Sequence, residues 1–435
     1  MKIAVVGTGI AGNVAAYYLT KHNDVTVFEA NDYIGGHTHT HQIVDQDQHY
    51  TIDSGFIVFN YKTYPNFIKL LQELDVAVQP SPMSFSVKCE NTGLEYNGTT
   101  LNTLFAQRRN LFRPKFYGMI KDVLRFNKEA PGILQAQDEL ISLGEYLQRN
   151  KYSYEFINHY IIPMGAAIWS ADPAMMHHFP AYYFIRFFHN HGMLSIDDRL
   201  MWYVIKGGSN CYVKQLVKPY ENKIRLNTPV KRVRRFSSHV EIETTEYGVE
   251  NFDYGFIASH SDQALGLLSD ATSLEKSILG AIPYQQNEAV LHTDREVLPK
   301  RRLAWAAWNY HILQQQQNRI ALTYNMNILQ SIKAPVDFCV TLNNTQSIDE
   351  TKIIKHMTYD HPVFTPKGVA AQQRQHEING PNRTFFCGAY WRFGFHEDGV
   401  ISALNALQHF KEYTKNEQLH LPRASEASTI FSSRS

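Results

Sequence analysis

The sequence has few cysteines and no pairing pattern among them. Its 435 residues include only four, Cys89, Cys211, Cys339 and Cys387, with no CxxC motif and no spacing typical of a zinc site. A disulfide framework and a metal site are therefore not expected. The same scarcity is typical of a reducing compartment, so the sequence predicts a cytoplasmic location.

An excess of charge of one sign is also lacking. Lys and Arg number 42 against 41 Asp and Glu, which leaves a formal net charge of +1. No overall field would attract nucleic acid. With 44% hydrophobic and 19% charged residues, the composition excludes disorder as the dominant state. The length suggests two or three domains, or one large domain that carries an insertion.

Long hydrophobic runs are missing as well. The longest, residues 161–169, contains a proline and a glycine and is too short to span a bilayer. The N-terminal stretch MKIAVVGTGIAG has the small and apolar residues of a signal peptide. Its glycines, however, fall at the spacing of a phosphate-binding loop, and charged residues follow soon afterwards. We therefore predict a soluble protein.

The N-terminus does contain a pattern typical of nucleotide binding. Residues 2–6 form a short apolar run suited to a buried parallel strand, and residues 24–29 form a second, alternating strand. Between them, residues 11–21 have helical periodicity. Strand, helix and strand in this order predict a βαβ unit.

Glycines and an acid stand at the functional positions of this unit. Gly7, Gly9 and Gly12 form a GxGxxG pattern, which permits a tight turn, a close approach to a pyrophosphate and close helix packing. Glu29 ends the second strand, where a carboxylate can accept both ribose hydroxyls. A carboxylate there would repel the 2′-phosphate of NADP, so the unit favours NAD or FAD.

A second glycine-opened unit lies near the other end of the chain. Residues 384–387 predict a strand, Gly388 a turn, and Glu397, Asp398 and Gly399 the entry to a helix. Another helix N-terminus suits the other half of a dinucleotide, here the ribityl chain and the flavin N1/O2 edge. This favours FAD.

These motifs carry a resemblance to a known family. The chain resembles the flavin amine oxidase and phytoene desaturase superfamily of FAD-dependent oxidoreductases, and within it a bacterial branch usually described only as predicted NAD/FAD-binding proteins. The resemblance spans the whole chain, and its motifs are specific for FAD but not for a substrate. It implies an α/β fold with a discontinuous Rossmann-like FAD-binding domain and an inserted α+β substrate domain. We expect the FAD to be non-covalent, because no cysteine stands at a convincing position for a covalent link.

The resemblance also implies which residues bind the cofactor. They are Gly7, Gly9, Ala11, Gly12, Glu29 and Val230 for the ADP half, Gly36, His37 and Thr38 along the pyrophosphate and ribityl chain, Gly55, Phe56 and Ile57 beside the isoalloxazine ring, and Gly388, Gly399 and Val400 at the closing helix. Three positions depart from the family pattern. His37 replaces a common arginine, Ala389 an acid, and Phe395 the tyrosine that faces the flavin in amine oxidases.

The domains are expected to be discontinuous. We assign residues 1–80, 205–265 and 380–415 to the FAD-binding domain, residues 81–204 and 266–379 to the substrate domain, and residues 416–435 to a C-terminal tail. Residues 107–126 combine basic and apolar side chains, as in a surface that docks on anionic lipid or in a solvated exterior helix. Residues 179–194 are densely aromatic, which is typical of core packing and also of an apolar pocket wall.

Candidates for catalysis are few, because a flavin carries the hydride chemistry itself. GxSxG, HExxH and P-loop motifs are all missing. Phe395 and His396 lie at the turn before the C-terminal helix, and Tyr160, beside His159, is a further candidate proton acceptor.

One feature of the family counts against ordinary amine oxidation. By the resemblance, amine oxidases hold a water near flavin N5 with a lysine, but the matching stretch here has Asn287 or Glu288 near that register. Trp305, Trp308 and Tyr310 follow in the same stretch and are candidates for pocket walls or for core packing.

The leading hypothesis is an FAD-dependent dehydrogenase or desaturase that acts on an apolar substrate, such as a fatty acyl chain. By the resemblance, relatives are often encoded beside cyclopropane-fatty-acid-synthase-like methyltransferases, which also implies a lipid substrate. The alternatives are an amine oxidase that makes peroxide, and a flavin-bound isomerase or accessory protein of a lipid methyltransferase. Peripheral contact with the inner membrane face is a further expectation, and the oligomeric state stays open.

Overall fold

The computed structural model describes residues 1–45, 47–136, 141–195, 200–315, 318–415, 418–422 and 424–425, so most of the predicted tail lies outside the described residues. The strands are β1 Lys2–Val6, β2 Asp24–Phe28, β3 Thr40–Asp45, β4 Gln48–Asp53, β5 Phe59–Asn60, β6 Val78–Ser81, β7 Phe85–Cys89, β8 Leu94–Asn97, β9 Trp202–Ile205, β10 Ile224–Arg225, β11 Val230–Arg235, β12 Val240–Thr244, β13 Gly248–Phe252, β14 Tyr254–Ile257, β15 Tyr284–His292, β16 Trp308–Ile312, β17 Ala321–Asn325, β18 Cys339–Leu342, β19 Ile353–Pro362 and β20 Thr384–Phe386.

The α-helices are α1 Ile10–Leu19, α2 Pro65–Glu73, α3 Leu101–Leu104, α4 Pro114–Glu129, α5 Ile133–Ala136, α6 Leu143–Arg149, α7 Tyr154–Phe156, α8 Ile162–Trp169, α9 Ala181–Asn190, α10 Asn210–Val217, α11 Ser261–Leu267, α12 Ser273–Leu279, α13 Met326–Leu329, α14 Pro366–Gln372, α15 Gln375–Ile378 and α16 His396–Thr414. No helix within the described ranges is both long and apolar enough to cross a membrane.

The predicted N-terminal unit lies at the centre of a five-stranded parallel sheet in the order β10-β2-β1-β14-β20. Val5 of β1 is paired with Val27 of β2 on one side and with Phe256 of β14 on the other. The predicted strands 2–6 and 24–29 and the predicted helix 11–21 correspond to β1, β2 and α1, with ends shifted by at most two residues. The α/β fold class is confirmed.

Both faces of this sheet are buried, which explains the almost continuous apolar sequence of its strands. Ile3 and Val5 pack with α1 and α16 on one face. Ala4 and Val6 pack on the other face, against the antiparallel sheet β11-β12-β13 and helices α12 and α15. Each large apolar side chain buried in this way contributes about 1.5–3 kcal/mol.

A second, seven-stranded sheet has the order β19-β15-β18-β17-β16-β7-β8. Its pairs are antiparallel except for β16 and β7, which run parallel. Its buried face shares one core with helices α4, α6, α8 and α9. The aromatic stretch 179–194 contributes α9 to this core.

The strands fall on either side of the predicted domain boundaries. The five parallel strands lie within 1–80, 205–265 and 380–415, whereas the seven-stranded sheet lies within 81–204 and 266–379. β6 and β9 cross two of these boundaries and pair with each other in a small sheet with β5. Helices α12 and α15, drawn from the predicted substrate stretch, pack against the parallel sheet. The boundaries themselves stay a prediction.

Candidate functional site

The two glycine-opened helices meet at the carboxyl edge of the parallel sheet. α1 begins at Ile10, after Gly9 as its N-cap, and α16 begins at His396. The helices pack so closely that a Cβ added to Gly399 would lie 2.5 Å from Cγ2 of Ile10. Helix N-termini gathered at this edge form the usual anion site of doubly wound folds.

The glycine loop has the conformation that its sequence predicts. Gly7 has φ of +100°, which favours glycine, and its N–H donates to the carbonyl oxygen of Phe28 at 2.8 Å. A Cβ at Gly12 would overlap the carbonyl oxygen of Gly7. A Cβ at Gly9 would meet nothing within 4 Å, because this residue borders the cavity described below. The backbone at Gly9 is thus open to a ligand.

The carboxylate of Glu29 is held beside the loop. One of its oxygens accepts the N–H of Thr8 at 2.9 Å together with the Thr8 hydroxyl. The other accepts the N–H and the side-chain amide of Asn31, both at 2.9 Å. Glu29 is buried and lines the cavity, as a ribose-binding acid would.

The paired glycines lie against the same loop. A Cβ at Gly36 would lie 3.1 Å from the Cα of Gly9. The carbonyl oxygen of His37 accepts the N–H of Phe56 at 2.7 Å, and Gly55 lies so close to that carbonyl that a Cβ would overlap it. Segments 35–38 and 54–57 are therefore fixed side by side.

One cavity of about 930 Å³ connects these elements with the seven-stranded sheet. Its cofactor half is formed by the glycine loop, Glu29, the segments 35–37 and 55–56, and residues 388–389. Its other end, which we call the aromatic half, is lined mainly by apolar side chains, including Tyr96, Tyr160, Met164, Phe187, Trp308 and Phe395. Among the lining residues in the described ranges there is no lysine or arginine, and the acids are Glu29 and Asp360.

Most residues that the sequence predicts for the cofactor border this cavity. Those that line it are Gly7, Gly9, Ala11, Glu29, Gly36, His37, Gly55, Phe56, Ile57, Val230 and Gly388. Four others lie behind the wall: Gly12, Thr38, Gly399 and Val400 are buried or packed against the helices. These four support the wall, and a cofactor-binding role for the whole set stays a prediction.

The ring of His396 lies within the wall of the cavity. It stacks on the ring of Phe56 at a centroid distance of 3.6 Å, and its Nε2 lies 2.6 Å from the hydroxyl of Tyr212. The Tyr212 hydroxyl in turn lies 2.7 Å from that of Thr38. Burial lowers the pKa of His396 to about 3, so the imidazole is neutral at neutral pH, and its Nε2 already has the Tyr212 hydroxyl as a partner. Sequence analysis missed Tyr212, which has no motif around it.

Phe395 and Tyr160, the other predicted catalytic residues, belong to the aromatic half. The ring of Phe395 stacks on that of Phe187 at 5.1 Å, and Tyr160 lies in a π-helical turn, residues 157–161. Such turns are frequent at functional sites because they redirect a side chain. Their catalytic roles stay predictions.

The aromatic half also contains a histidine that sequence analysis did not single out. His191 is buried in the cavity wall, and its Nδ1 lies 2.9 Å from the carbonyl oxygen of Phe187. Because a carbonyl oxygen only accepts, Nδ1 carries the proton and Nε2 is the basic atom. Burial lowers the pKa of His191 to about 4.

The position that matches the lysine of amine oxidases lies outside the cavity. Asn287 of β15 is fully buried, and its side-chain amide lies 3.0 Å from Nδ1 of His361 on the neighbouring strand β19. Neither Asn287 nor Glu288 lines the cavity, whereas residues 358–362 of β19 do. Of the three predicted aromatic walls, Trp308 lines the cavity, Tyr310 is core, and Trp305 donates to the carbonyl oxygen of Pro299.

Two buried acids accept backbone N–H groups from segments next to the cofactor half. Glu397 in the first turn of α16 accepts the N–H groups of Asn66 and Phe67 at 3.0 and 2.8 Å, and burial raises its pKa to about 7. Asp53 accepts the N–H of Ser209 at 3.0 Å, and burial raises its pKa to about 6. Sequence analysis placed Glu397 at the turn before the C-terminal helix, beside the candidates Phe395 and His396.

These residues fit an FAD molecule. The open backbone at Gly9, the two helix N-termini and the acid at Glu29 suit the pyrophosphate and ribose, and the cavity continues from them into an apolar end suited to a ring system. When bound, FAD supplies a hydride acceptor. The chain itself provides the binding surface.

Comparisons with known proteins agree with this geometry. The family model described as flavin containing amine oxidoreductase matches residues 10–298. Curated protein sequences contain no match to the chain. Solved structures that share the fold do so at low identity, as three examples show.

Cyclohexylamine oxidase from Brevibacterium oxydans is 16% identical, with a TM-score of 0.67 and coverage of 95% of this chain and 99% of that chain. A fatty acid isomerase from P. acnes that produces CLA is 16% identical, with a TM-score of 0.64 and coverage of 94% and 98%. Putrescine oxidase bound to putrescine is 14% identical, with a TM-score of 0.66 and coverage of 94% and 99%. The chain belongs to the flavin-containing amine oxidoreductase family and is an enzyme whose cofactor is FAD.

Proposed function

We propose that the chain is a dehydrogenase or desaturase that transfers a hydride from an apolar, lipid-like substrate to the flavin. The observation that carries this proposal is the aromatic half of the cavity, where no charged side chain lines the wall within the described residues. A fatty acyl chain fits such a wall, since each buried methylene contributes about 0.8 kcal/mol.

The same wall is a poor match for a protonated amine. A cation buried there would have no carboxylate partner among the described lining residues of the aromatic half, and burying an unpaired charge is costly. No lysine is among the described residues that line the cavity, in keeping with Asn287 and Glu288 near the position where amine oxidases have a lysine. Both observations favour carbon–hydrogen oxidation of an apolar chain.

Removal of a hydride from one carbon leaves a proton to be taken from its neighbour if a double bond is to form. His191 has its Nε2 available as the acceptor, since its Nδ1 is committed to the Phe187 carbonyl oxygen. Tyr160, the acceptor predicted from sequence, lines the same part of the cavity. We propose one of these two as the base, with Phe395 and Trp308 as walls that orient the chain.

The test is a visible spectrum of the holoprotein without oxygen. Oleoyl phospholipid vesicles, free oleate, cyclohexylamine and putrescine are added in turn, and bleaching of the flavin is followed. Bleaching by an acyl substrate, with a new double bond in the product, is the expected result. Bleaching by the amines alone, with peroxide on readmission of oxygen, would establish the amine oxidase alternative instead.

The isomerase alternative has a different signature in the same experiment. The fatty acid isomerase from P. acnes shows that this fold can accompany that activity. An isomerase would move a double bond while the flavin spectrum returns to its oxidised form without any electron acceptor. No change of any substrate and no bleaching would leave only the accessory role and would contradict the proposal.

We also propose a cytoplasmic location with peripheral contact to an anionic membrane. The four cysteines are free, in keeping with a reducing compartment. Phe112 and Leu101 are 86% and 77% exposed, and the same segment contains the basic residues Arg108, Arg113 and Lys115. The next helix, α4, contributes Val123 and Asn127 to the cavity wall, so the basic surface lies beside a route for lipid.

Co-sedimentation with vesicles tests this contact. Binding is expected with phosphatidylglycerol vesicles and not with phosphatidylcholine vesicles. Phe112→Ser should weaken it about tenfold, whereas Val44→Ser, at a residue 62% exposed on β3, should leave it unchanged. Equal binding to both vesicle types, or to neither, would contradict the proposal.

A further inference from the structure

Three histidines from separate segments meet in the wall of the cofactor half. His37 follows the paired glycines, His260 precedes α11, and His361 belongs to β19. The ring centroid of His37 lies 6.1 Å from that of His260 and 5.4 Å from that of His361. We call these three residues the histidine cluster.

The cluster borders the glycine loop. A Cβ at Gly36, the residue before His37, would lie 3.1 Å from the Cα of Gly9. A Cβ at Gly7 would lie 3.5 Å from the backbone nitrogen of Ser259, the residue before His260. The cluster therefore lies beside the backbone that receives a pyrophosphate at the N-terminus of α1.

The histidine cluster is the source of positive side-chain charge beside the glycine loop among the described lining residues. The FAD pyrophosphate carries two negative charges, and no lysine or arginine is found among the cavity-lining residues of the described ranges. The lining acids, Glu29 and Asp360, are negative as well. The N-terminus of α1 supplies only about half an elementary charge. Protonated histidines are the side chains there that can supply a full positive charge.

Each histidine has defined neighbours. The His37 ring lies 5.2 Å from that of Tyr359, and the His260 ring 4.4 Å from that of Tyr284. The Asn287 amide donates to Nδ1 of His361 at 3.0 Å, which places the proton of that ring on Nε2. The remaining charged and titratable groups that face the cluster are Asp262, Asp360 and His396.

In the free protein these surroundings keep the cluster neutral. Burial and, to a smaller extent, the neighbouring His260 lower the pKa of His361 to about 4. Burial, followed by the charges of His361, His260 and His396, holds the pKa of His37 well below its usual range. Burial also lowers the pKa of His260, against the opposing effect of Asp262 and Asp360.

We propose that the histidine cluster binds the FAD pyrophosphate and takes up protons as the cofactor binds, so that FAD retention depends on pH. A bound dianion stabilises the protonated rings, which raises their pKa values in the complex above those in the free protein. Affinity for FAD therefore falls as pH rises through the values of the complex. This inference depends on FAD binding at the glycine loop and is independent of any substrate.

Calorimetry of FAD binding to the apoprotein tests this directly. Titrations in buffers of different ionisation enthalpy report the protons taken up, and we expect roughly one to two per FAD. For each proton taken up, the dissociation constant should rise about tenfold per pH unit between about pH 6 and about pH 8.5. Zero proton uptake with a constant affinity over this range would overturn the proposal.

Variants assign the protons to the cluster. His37→Arg supplies a fixed charge, so it should reduce the uptake by about one proton and tighten binding at high pH. His361→Gln should reduce the uptake and weaken binding at low pH. His22→Gln, at an exposed histidine beyond α1, is the control and should change neither. Flavin fluorescence on FAD release measures the affinity of each variant independently. Full proton uptake in both cluster variants would assign the protons to other groups and would overturn the proposal.

Discussion

The two halves of the cavity are constructed in opposite ways. The cofactor half presents mainly backbone, held in position by glycines at which a side chain would overlap a neighbouring carbonyl, as at Gly12 and Gly55. The aromatic half presents side chains from α8, α9 and the seven-stranded sheet, such as Met164, Phe187 and Trp308. Backbone recognition tolerates little change and serves one ligand, whereas a side-chain wall can be rebuilt for another substrate.

The largest effect should come from adding one methyl group to the backbone of the cofactor half. Gly12→Ala places a Cβ on the carbonyl oxygen of Gly7, and relief requires α1 to move away from β1. We expect a loss of about 3 kcal/mol of unfolding free energy and a colourless protein. Gly118→Ala, at a helical glycine with no neighbour within 4 Å of the added Cβ, is the matched control. Urea denaturation and flavin absorbance measure both; a yellow and stable Gly12→Ala protein would refute the comparison.

A substitution in the aromatic half should have the opposite effect: it should impair reduction of the flavin by substrate and leave flavin binding and stability unchanged. Met164→Trp fills part of the cavity with a side chain that displaces the substrate, so reduction of the flavin by substrate should fall about a hundredfold. Flavin content and melting temperature should stay as in the parent protein. Met164→Ala, which enlarges the same wall, is the control for the loss of methionine. If Met164→Trp loses its flavin, the two halves are not independent.

The buried acid behind the cofactor half should give a distinct pH dependence. Burial raises the pKa of Glu397 from its usual 4.5 to about 7, so the folded protein holds this proton more tightly than the unfolded chain. Its contribution to stability is full below pH 4.5 and is lost as pH rises towards about 7. Glu397→Gln should remove about 3 kcal/mol of pH dependence in this window, whereas exposed Glu246→Gln should remove none. Denaturation curves across the window measure it, and an unchanged pH dependence would exclude Glu397 as its source.

The smallest effect should come from Gly9→Ala. The residue has φ of −62° and ψ of 175°, which alanine adopts freely, and its added Cβ meets nothing within 4 Å. The apoprotein should therefore melt as before. The methyl group points into the cavity, where it should weaken FAD binding about tenfold. An altered melting temperature of the apoprotein, or an unchanged affinity for FAD, would contradict the conclusion that the backbone at Gly9 is open to a ligand.

The difference between the halves also explains what the sequence could predict. Backbone recognition requires glycines at fixed local spacing, so Gly7, Gly9 and Gly12 and the strands beside them could be recognised from the sequence. The aromatic half is assembled from distant segments, and no local pattern distinguishes Trp308, which lines the cavity, from Tyr310, which is core. Register between strands is likewise not readable from local sequence: residues 358–362 of β19 line the cavity, whereas Asn287 and Glu288 of the paired strand β15 do not.

The order of the chain has a consequence for how the protein acquires its colour. The glycine loop before α1 leaves the ribosome long before α16, which packs on Ile10, completes the site and is the last helix among the described residues. At roughly 5–20 residues per second, tens of seconds of translation separate the two. Flavin incorporation must then wait until α16 has been synthesised and has left the exit tunnel, and nascent chains that stall before α16 would remain apoprotein.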